Sequence, residues 1–178
     1  MTEAGFFCAM AKHVRHKPPT ELPEPRKLIL ACPQFRSSVN LSRIVRLAGC
    51  AGIPKIVASG QTKIDSKIAR DAIQWVQVER RRTLTNWLKN IKSESYRLVA
   101  LEQADQSDCL YDYKFNEQSV LVIGHERHGV SDQDLQLVDD VIEIPVFGQP
   151  FSYNVVAATT MAVYEYCRQF PGYVREPD

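Results

Sequence analysis

Three short stretches hold residue types that chemistry can use and that packing alone does not require. Asn40-Leu-Ser-Arg-Ile-Val-Arg46 puts a carboxamide and two guanidinium groups in one run. Ser119-Val-Leu-Val-Ile-Gly-His-Glu-Arg-His-Gly129 leads an apolar segment into Gly124-x-Glu126-x-x-Gly129. Val141-Ile-Glu-Ile-Pro-Val-Phe-Gly-Gln-Pro-Phe-Ser-Tyr-Asn154 ends in Ser152-x-Asn154 and opens an alanine-bearing segment. Glycine at 124 and 129 permits a positive φ or the close approach of a ligand to the main chain. A guanidinium is a permanent cation that grips phosphate or stabilises an oxyanion, and it accepts a proton poorly. Taken singly, each stretch has a plainer reading: Gly-x-Glu-x-x-Gly as a surface turn, Arg43 and Arg46 as a solvated helix face.

The elements that must position these residues follow from periodicity. Arg26-Lys-Leu-Ile-Leu-Ala-Cys32 reads as a strand buried on both faces, ended by Pro33. Leu41, Ile44, Val45 and Ala48 recur at helical spacing, so a helix packs that face inward until Gly49 and Gly52, with Arg43 and Arg46 on the opposite side. Lys55 to Ser59 is a second strand, Ser66 to Ala72 a weak helical stretch and Trp75-Val-Gln-Val78 a third strand. Thr83 is placed to N-cap a helix that buries Leu84, Trp87, Leu88 and Ile91. Tyr96 to Leu101 is a fourth strand, Ser119 to Ile123 a fifth and Val141 to Ile144 a sixth. A short helix capped by Ser131 lies between the last two, and a long helix runs from about Ser152 to Arg168. Its apolar circumference, with Ala157, Ala158 and Ala162, expects burial on more than one side. The alternation predicts an α/β fold, a mostly parallel six-stranded sheet with helices on both faces. Both late loops then sit at carboxyl ends of strands, where such sheets bind ligands.

With 178 residues and 44% hydrophobic content, the chain can bury one sizeable core. Residues 1–26 read as an arm and linker, carrying Lys12-His-Val-Arg-His-Lys17 and then four prolines, and residues 27–178 as one domain. No apolar run approaches the ~18 to 20 residues of a membrane span, and the first residues are too short for a secretory leader. The expectation is a cytoplasmic protein with no membrane partner. Five scattered cysteines show no C-x-x-C pair and no metal-ligand spacing, so they read as reduced thiols and no metal is expected. The net charge of +1 disfavours a general nucleic-acid coater. Yet from Lys63 to Lys92 there are eight basic and three acidic residues, against two and eleven from Glu102 to Glu143. One basic face is possible, with the arginine run Arg80, Arg81 and Arg82 at its centre. Neither a dinucleotide-binding Gly-x-Gly-x-x-Gly after the first strand nor a phosphate-loop Gly-x-x-x-x-Gly-Lys-Ser/Thr occurs.

Together and in this order, the three stretches resemble the motifs of the SpoU/TrmH branch of the SPOUT RNA 2′-O-ribose methyltransferases, over roughly residues 27 to 169. The core is most similar to the tRNA D-loop guanosine enzymes, with ribosomal RNA as the rival substrate. The resemblance implies a deep C-terminal trefoil knot, which no sequence pattern reveals. It implies S-adenosylmethionine held near Leu101, Gly124, Ile144, Pro145, Ser152 and Tyr153. It implies Asn40, Arg46, Glu126, Ser152 and Asn154 as the catalytic set, and a homodimer acting on RNA and not on DNA. Arg43 and Arg80 to Arg82 are then the RNA contacts. Three positions depart from the common pattern: His125 stands where asparagine is frequent, Tyr153 where leucine is frequent, and Val156 where a small polar residue is frequent. Two other readings stay open: a knotted RNA-binding protein without turnover, and a subunit that needs a larger partner.

Overall fold

A computed structural model describes residues 13–14 and 17–172. Residues 1–12, Arg15, His16 and the last six residues lie outside them, so the proposed arm is described only in part.

The strands are β1 (Leu28–Cys32), β2 (Lys55–Ser59), β3 (Gln77–Arg81), β4 (Arg97–Leu101), β5 (Asp108–Cys109), β6 (Ser119–Ile123) and β7 (Asp140–Glu143). They form one sheet in the order β3-β2-β1-β6-β4-β7-β5. Every pairing is parallel. The sheet has seven strands and not six, because the acidic connection after β4 contributes β5 at the edge. A strand of two residues is too short to show any alternation, so its sequence carries no signal.

The helices are α1 (Ser38–Ala51), α2 (Ser66–Ala69), α3 (Ala72–Trp75), α4 (Thr85–Lys92), α5 (Asp132–Leu135) and α6 (Val155–Gln169). Strand residues point alternately into two apolar layers. Leu28, Leu30 and Cys32 pack with Leu121 and Ile123 toward α1 and α6, while Ile29, Ala31, Val120 and Val122 pack toward α4 and its Trp87, Leu88 and Ile91. All five residues of β1 and of β6 are buried, the pattern of strands covered on both faces.

Helix ends follow local chemistry. The Ser37 hydroxyl accepts from Val39 N–H to start α1, and Gly52 at φ 71° ends it in the left-handed region. The α4 boundary differs from the expectation: Leu84 and not Thr83 occupies the N-cap, with no side-chain cap bond. Leu84 is buried in the α4 layer, so packing sets that boundary in place of capping. The weak stretch after β2 splits into α2 and α3, and Trp75 ends α3 with its side chain 78% exposed, so β3 starts later than the alternation suggested. Arg26 donates to Ala51 O at 2.7 Å and also to Phe170 O and Pro171 O, tying the carboxyl ends of α1 and α6 together. At the same edge of the sheet Arg97 and Tyr113 both donate to Asp140. The Arg97 guanidinium, helped by Tyr113 against the opposing effect of burial, holds the Asp140 carboxyl below its ordinary range.

Leu121 is fully buried in β6, with β1 on one side and β4 on the other. Leu121→Ala is expected to cost about 2 to 5 kcal/mol in urea unfolding. A loss under about 1 kcal/mol would contradict the central place of β6 in the core.

Candidate active site

The connections leaving β4, β6 and β7 converge at the carboxyl edge of the sheet around a cleft of about 450 Å³. After β6 the chain turns back on itself. His125 N–H donates to Gly129 O at 2.8 Å and Gly129 N–H returns to His125 O at 3.0 Å, leaving Glu126, Arg127 and His128 at the tip. Gly129 sits at φ 64°, and a side chain there would overlap the Glu102 carboxylate. At Gly124 a Cβ would lie 3.0 Å from Glu102 Oε2 and 3.2 Å from the Gly129 main chain. The two glycines are thus explained by one neighbour. Glu102, at the end of β4, accepts from Val130 N–H at 2.7 Å and braces the turn from behind.

Glu126 joins the turn to α1. Its Oε1 accepts from Asn40 Nδ2 at 2.9 Å and its Oε2 from Arg36 N–H at 3.3 Å. Burial by itself would raise the Glu126 pKa. Hydrogen bonds from Asn40 and from the main-chain N–H groups of Glu126, Arg36 and Ser37 outweigh it and hold the carboxyl below its ordinary range. Glu126 is therefore an anchored carboxylate and not a proton donor at neutral pH.

Leu101, Gly124, Glu126, Ile144, Ser152, Tyr153 and Asn154, all read as site residues from sequence, line the cleft. The other expected residues lie outside the lining or hold bonds of their own. Pro145 is not part of the lining. Asn154 spends its Oδ1 on Val156 N–H as the N-cap of α6, so this oxygen orients a helix before it orients any substrate. Asn40 donates to Glu126 and does not line the cleft. Arg46 and Arg43 are exposed on α1, outside the lining, with no hydrogen bond or ion pair to any described residue. Arg80, Arg81 and Arg82 are exposed at the end of edge strand β3, where Arg81 pairs with Glu79, which also binds Lys55 at 2.9 Å. Among the described residues no group of three or more His, Cys, Asp or Glu side chains could hold a metal ion, and no helix is long and apolar enough to cross a membrane.

Sequence reasoning missed Glu102, Glu143 and Arg127 in the lining. The first two had a usable signal, since each sits at the carboxyl end of a strand flanking the cleft. Cys32 ends β1 fully buried, its thiol pushed up to about 12 by burial, so it packs as an apolar group and is no nucleophile.

An all-parallel sheet with a carboxyl-edge cleft built from three late loops defines an α/β protein with a ligand-sized site at the strand ends. Comparison with known proteins narrows this. Residues 27–164 match the model of the SpoU rRNA Methylase family. The chain is 30% identical over 148 residues to a tRNA (guanosine(18)-2′-O)-methyltransferase of Aquifex aeolicus, covering 81% of this chain and 70% of that protein. It is 30% identical over 149 residues to the mouse tRNA (guanosine(18)-2′-O)-methyltransferase TARBP1, covering 80% of this chain but only 9% of that much longer one. The crystal structure of the A. aeolicus TrmH/SpoU tRNA modifying enzyme superposes with a TM-score of 0.79 at 27% identity, covering 84% of this chain and 78% of that one. A SpoU methyltransferase from Streptomyces viridochromogenes, AviRb, solved with AdoMet, shares the fold with a TM-score of 0.70 at 23% identity, covering 84% of this chain and 63% of that one. The chain belongs to the SpoU methylase family.

Because the folded-state pKa of Glu126 is depressed, the stability it contributes is present above its ordinary carboxyl value and lost as pH falls through the folded one. Glu126→Gln is therefore expected to unfold at lower denaturant than wild type near neutral pH, with the gap closing in acid. A gap that does not change across that range would show that the carboxylate charge is not what joins α1 to the turn.

Proposed function

We propose that this protein transfers a methyl group from S-adenosylmethionine to a ribose 2′-hydroxyl of structured RNA, with tRNA the favoured substrate and ribosomal RNA the second. The observation that carries the reading is the convergence of Glu126, Ser152, Asn154 and the two glycines on one cleft, tied to Asn40 of α1. The residues present fit the cofactor. Leu101, Ile123, Ile144 and Ala158 give apolar walls for a base, and Gly124 and Gly129 of the turn after β6 lie in the same lining. Glu102, Glu126 and Glu143 make the lining rich in carboxylates, which suits a cationic ligand and favours it over its neutral product. The cofactor supplies an already activated methyl on a sulfonium.

The hydroxyl is a poor nucleophile, so the chain's own residues must place it and stabilise negative charge growing on its oxygen. Bound there, the donor would supply its methyl to the 2′-oxygen, keeping the electron pair of the broken bond on sulfur, while the hydroxyl proton would pass to solvent. Arg46, a cation with no proton-accepting atom, clamps the neighbouring phosphate and offsets the oxyanion charge. Ser152 and Asn154 orient the ribose, and Asn40 with Glu126 fixes the turn against which the donor sits.

Arg46 lies outside this chain's own cleft, which favours a homodimer in which α1 of one copy serves the cleft of the other. The exposed surface of the β7–α6 loop and of α6 supports this, since Phe147, Phe151 and Tyr164 are 88%, 77% and 68% exposed. The trefoil knot belongs to the same reading, supported by the convergence of the β4, β6 and β7 loops and by the packing of α6 on α1 and β4. Free thiols at Cys32, Cys50, Cys109 and Cys167 favour the cytoplasm.

With radiolabelled methyl donor and total tRNA or ribosomal RNA, wild type is expected to label tRNA at a nucleotide that then resists alkaline cleavage. Arg46→Ala is expected to lose about 100-fold or more in rate with donor affinity unchanged. Donor binding without label in either pool, with and without cell extract, would favour a non-catalytic RNA-binding protein. Separately, Arg80→Glu with Arg82→Glu is expected to lower RNA affinity and flatten its salt dependence in filter binding. Unchanged affinity at several salt concentrations would remove that edge from the RNA face.

A further inference from the structure

A second, smaller crevice of about 260 Å³ opens on the other side of the glycine turn, between the carboxyl ends of β1 and β6. It shares Ile123, His125 and Gly129 with the main cleft, so the turn is a common wall. The position has topological meaning. The chain leaves β1 through α1 into one layer, and leaves β6 through α5, whose Leu135 packs in the other. Adjacent parallel strands whose connections part in this way open a crevice at their carboxyl ends, and ligands bind there.

The crevice presents an aromatic surface. Arg127 N–H donates to His125 Nδ1 at 3.1 Å, which leaves the ring hydrogen on Nε2, 3.5 Å from Glu126 Oε2. His128 stacks on the held ring with centroids 4.9 Å apart and planes 22° from parallel. His125 is partly buried and His128 exposed, so the pair is an anchored platform with an outer member open to solvent. Gln34, at the opposite rim, makes no side-chain hydrogen bond to a described residue and offers both a donor and an acceptor.

The cations of this edge differ from those of the other in their pairing. At the amino edge Lys27 pairs with Glu117, Lys55 with Glu79, Lys92 with Asp139 and Arg97 with Asp140. At the carboxyl edge Arg36, Lys63, Arg80, Arg82 and Arg127 are all exposed, and none has an acidic partner among the described residues. Their loops are laced together: Gly60 N–H donates to Arg81 O at 2.9 Å, Thr62 Oγ1 to Phe35 O at 2.8 Å, and Arg36 N–H to Glu126.

We infer that this crevice is a second RNA subsite, which takes the base of an unpaired nucleotide other than the methylated one. The base stacks on His128, its edge meets Gln34, and the adjoining phosphates follow the unpaired cations across β1, β2 and β3. The volume falls below the ~300 Å³ at which sites begin to engulf whole ligands, so it suits a base whose sugar and phosphate stay outside. Stacking on an aromatic platform beside a basic track is how single strands are held. This inference rests on the reading of the protein as acting on RNA, and it does not require methyl transfer.

The test is fluorescence anisotropy with a labelled single-stranded mixed-sequence oligoribonucleotide and an RNA duplex of equal length, with calorimetric titration of S-adenosylmethionine alongside. Wild type is expected to prefer the single strand. His128→Ala should weaken that complex about 10-fold or more, within the range that one stacked base supplies. His128→Trp should restore it, and both should bind the methyl donor as wild type does. Equal affinity of wild type and His128→Ala for the single strand, or failure of His128→Trp to exceed His128→Ala, overturns the subsite. Affinity is read without turnover. A His128-dependent complex in a protein that transfers no methyl would therefore sink the enzymatic reading alone, and methylation with no His128 effect would sink the subsite alone.

Discussion

The constraint on which the rest depends is that the central strands are covered on both faces. With every residue of β1 and β6 buried, only Val122 and Ile123 at the end of β6 reach a cleft or crevice wall. Polar groups in those strands would cost more than they could return unless each found a partner. Chemistry is therefore confined to the strand ends, and the carboxyl edge gathers it. The glycine turn and the Glu102 brace stand within a few residues of a strand end, and the Asn154 cap closes the longer loop that follows β7. The scaffold is apolar and rigid so that the loops can be polar and specific.

Within those loops, carboxylates do work that sequence motifs assign to glycines and arginines. Glu102 fills the space that a side chain at Gly124 or Gly129 would need, so the glycines and the acid form one fitted unit. Glu126 does not face the cleft alone, since its two oxygens are taken by Asn40 and by the main chain beside Arg36. Fixing the loop in advance means that little order must be imposed when a ligand arrives, which is the economy of a preorganised site.

Much of this was legible in the sequence, and the exceptions have physical causes. Five-residue apolar runs and the 41-44-45-48 spacing gave the central strands and α1 correctly, because burial writes itself into periodicity. Ser131 was read as a cap and is one. β5 was invisible because two residues have no period, and the start of β3 was misplaced because Trp75 imitates a buried strand residue while lying exposed. Among the proposed site residues, Gly124, Glu126, Ser152 and Asn154 rest on the family resemblance of their motifs, and the structure places all four in the cleft lining. Glu102 was not found, because its role depends on contact with residues more than twenty positions away, and spacing records only what is near in the chain. The position of Arg46 outside the cleft was equally beyond reach, since periodicity gives the face of a helix but not what lies opposite it.

The Arg26 staple fixes where the chain enters and leaves the domain. By binding the last carbonyls of α1 and α6, it gathers the lead into β1 and the exit from α6 on the rim of the sheet remote from the cleft. A domain with both ends on its back can be spliced into a longer polypeptide, or carry an added module at either terminus, while its working mouth stays unobstructed. Such a layout lets evolution change what is attached to the fold without reopening the question of how the fold binds.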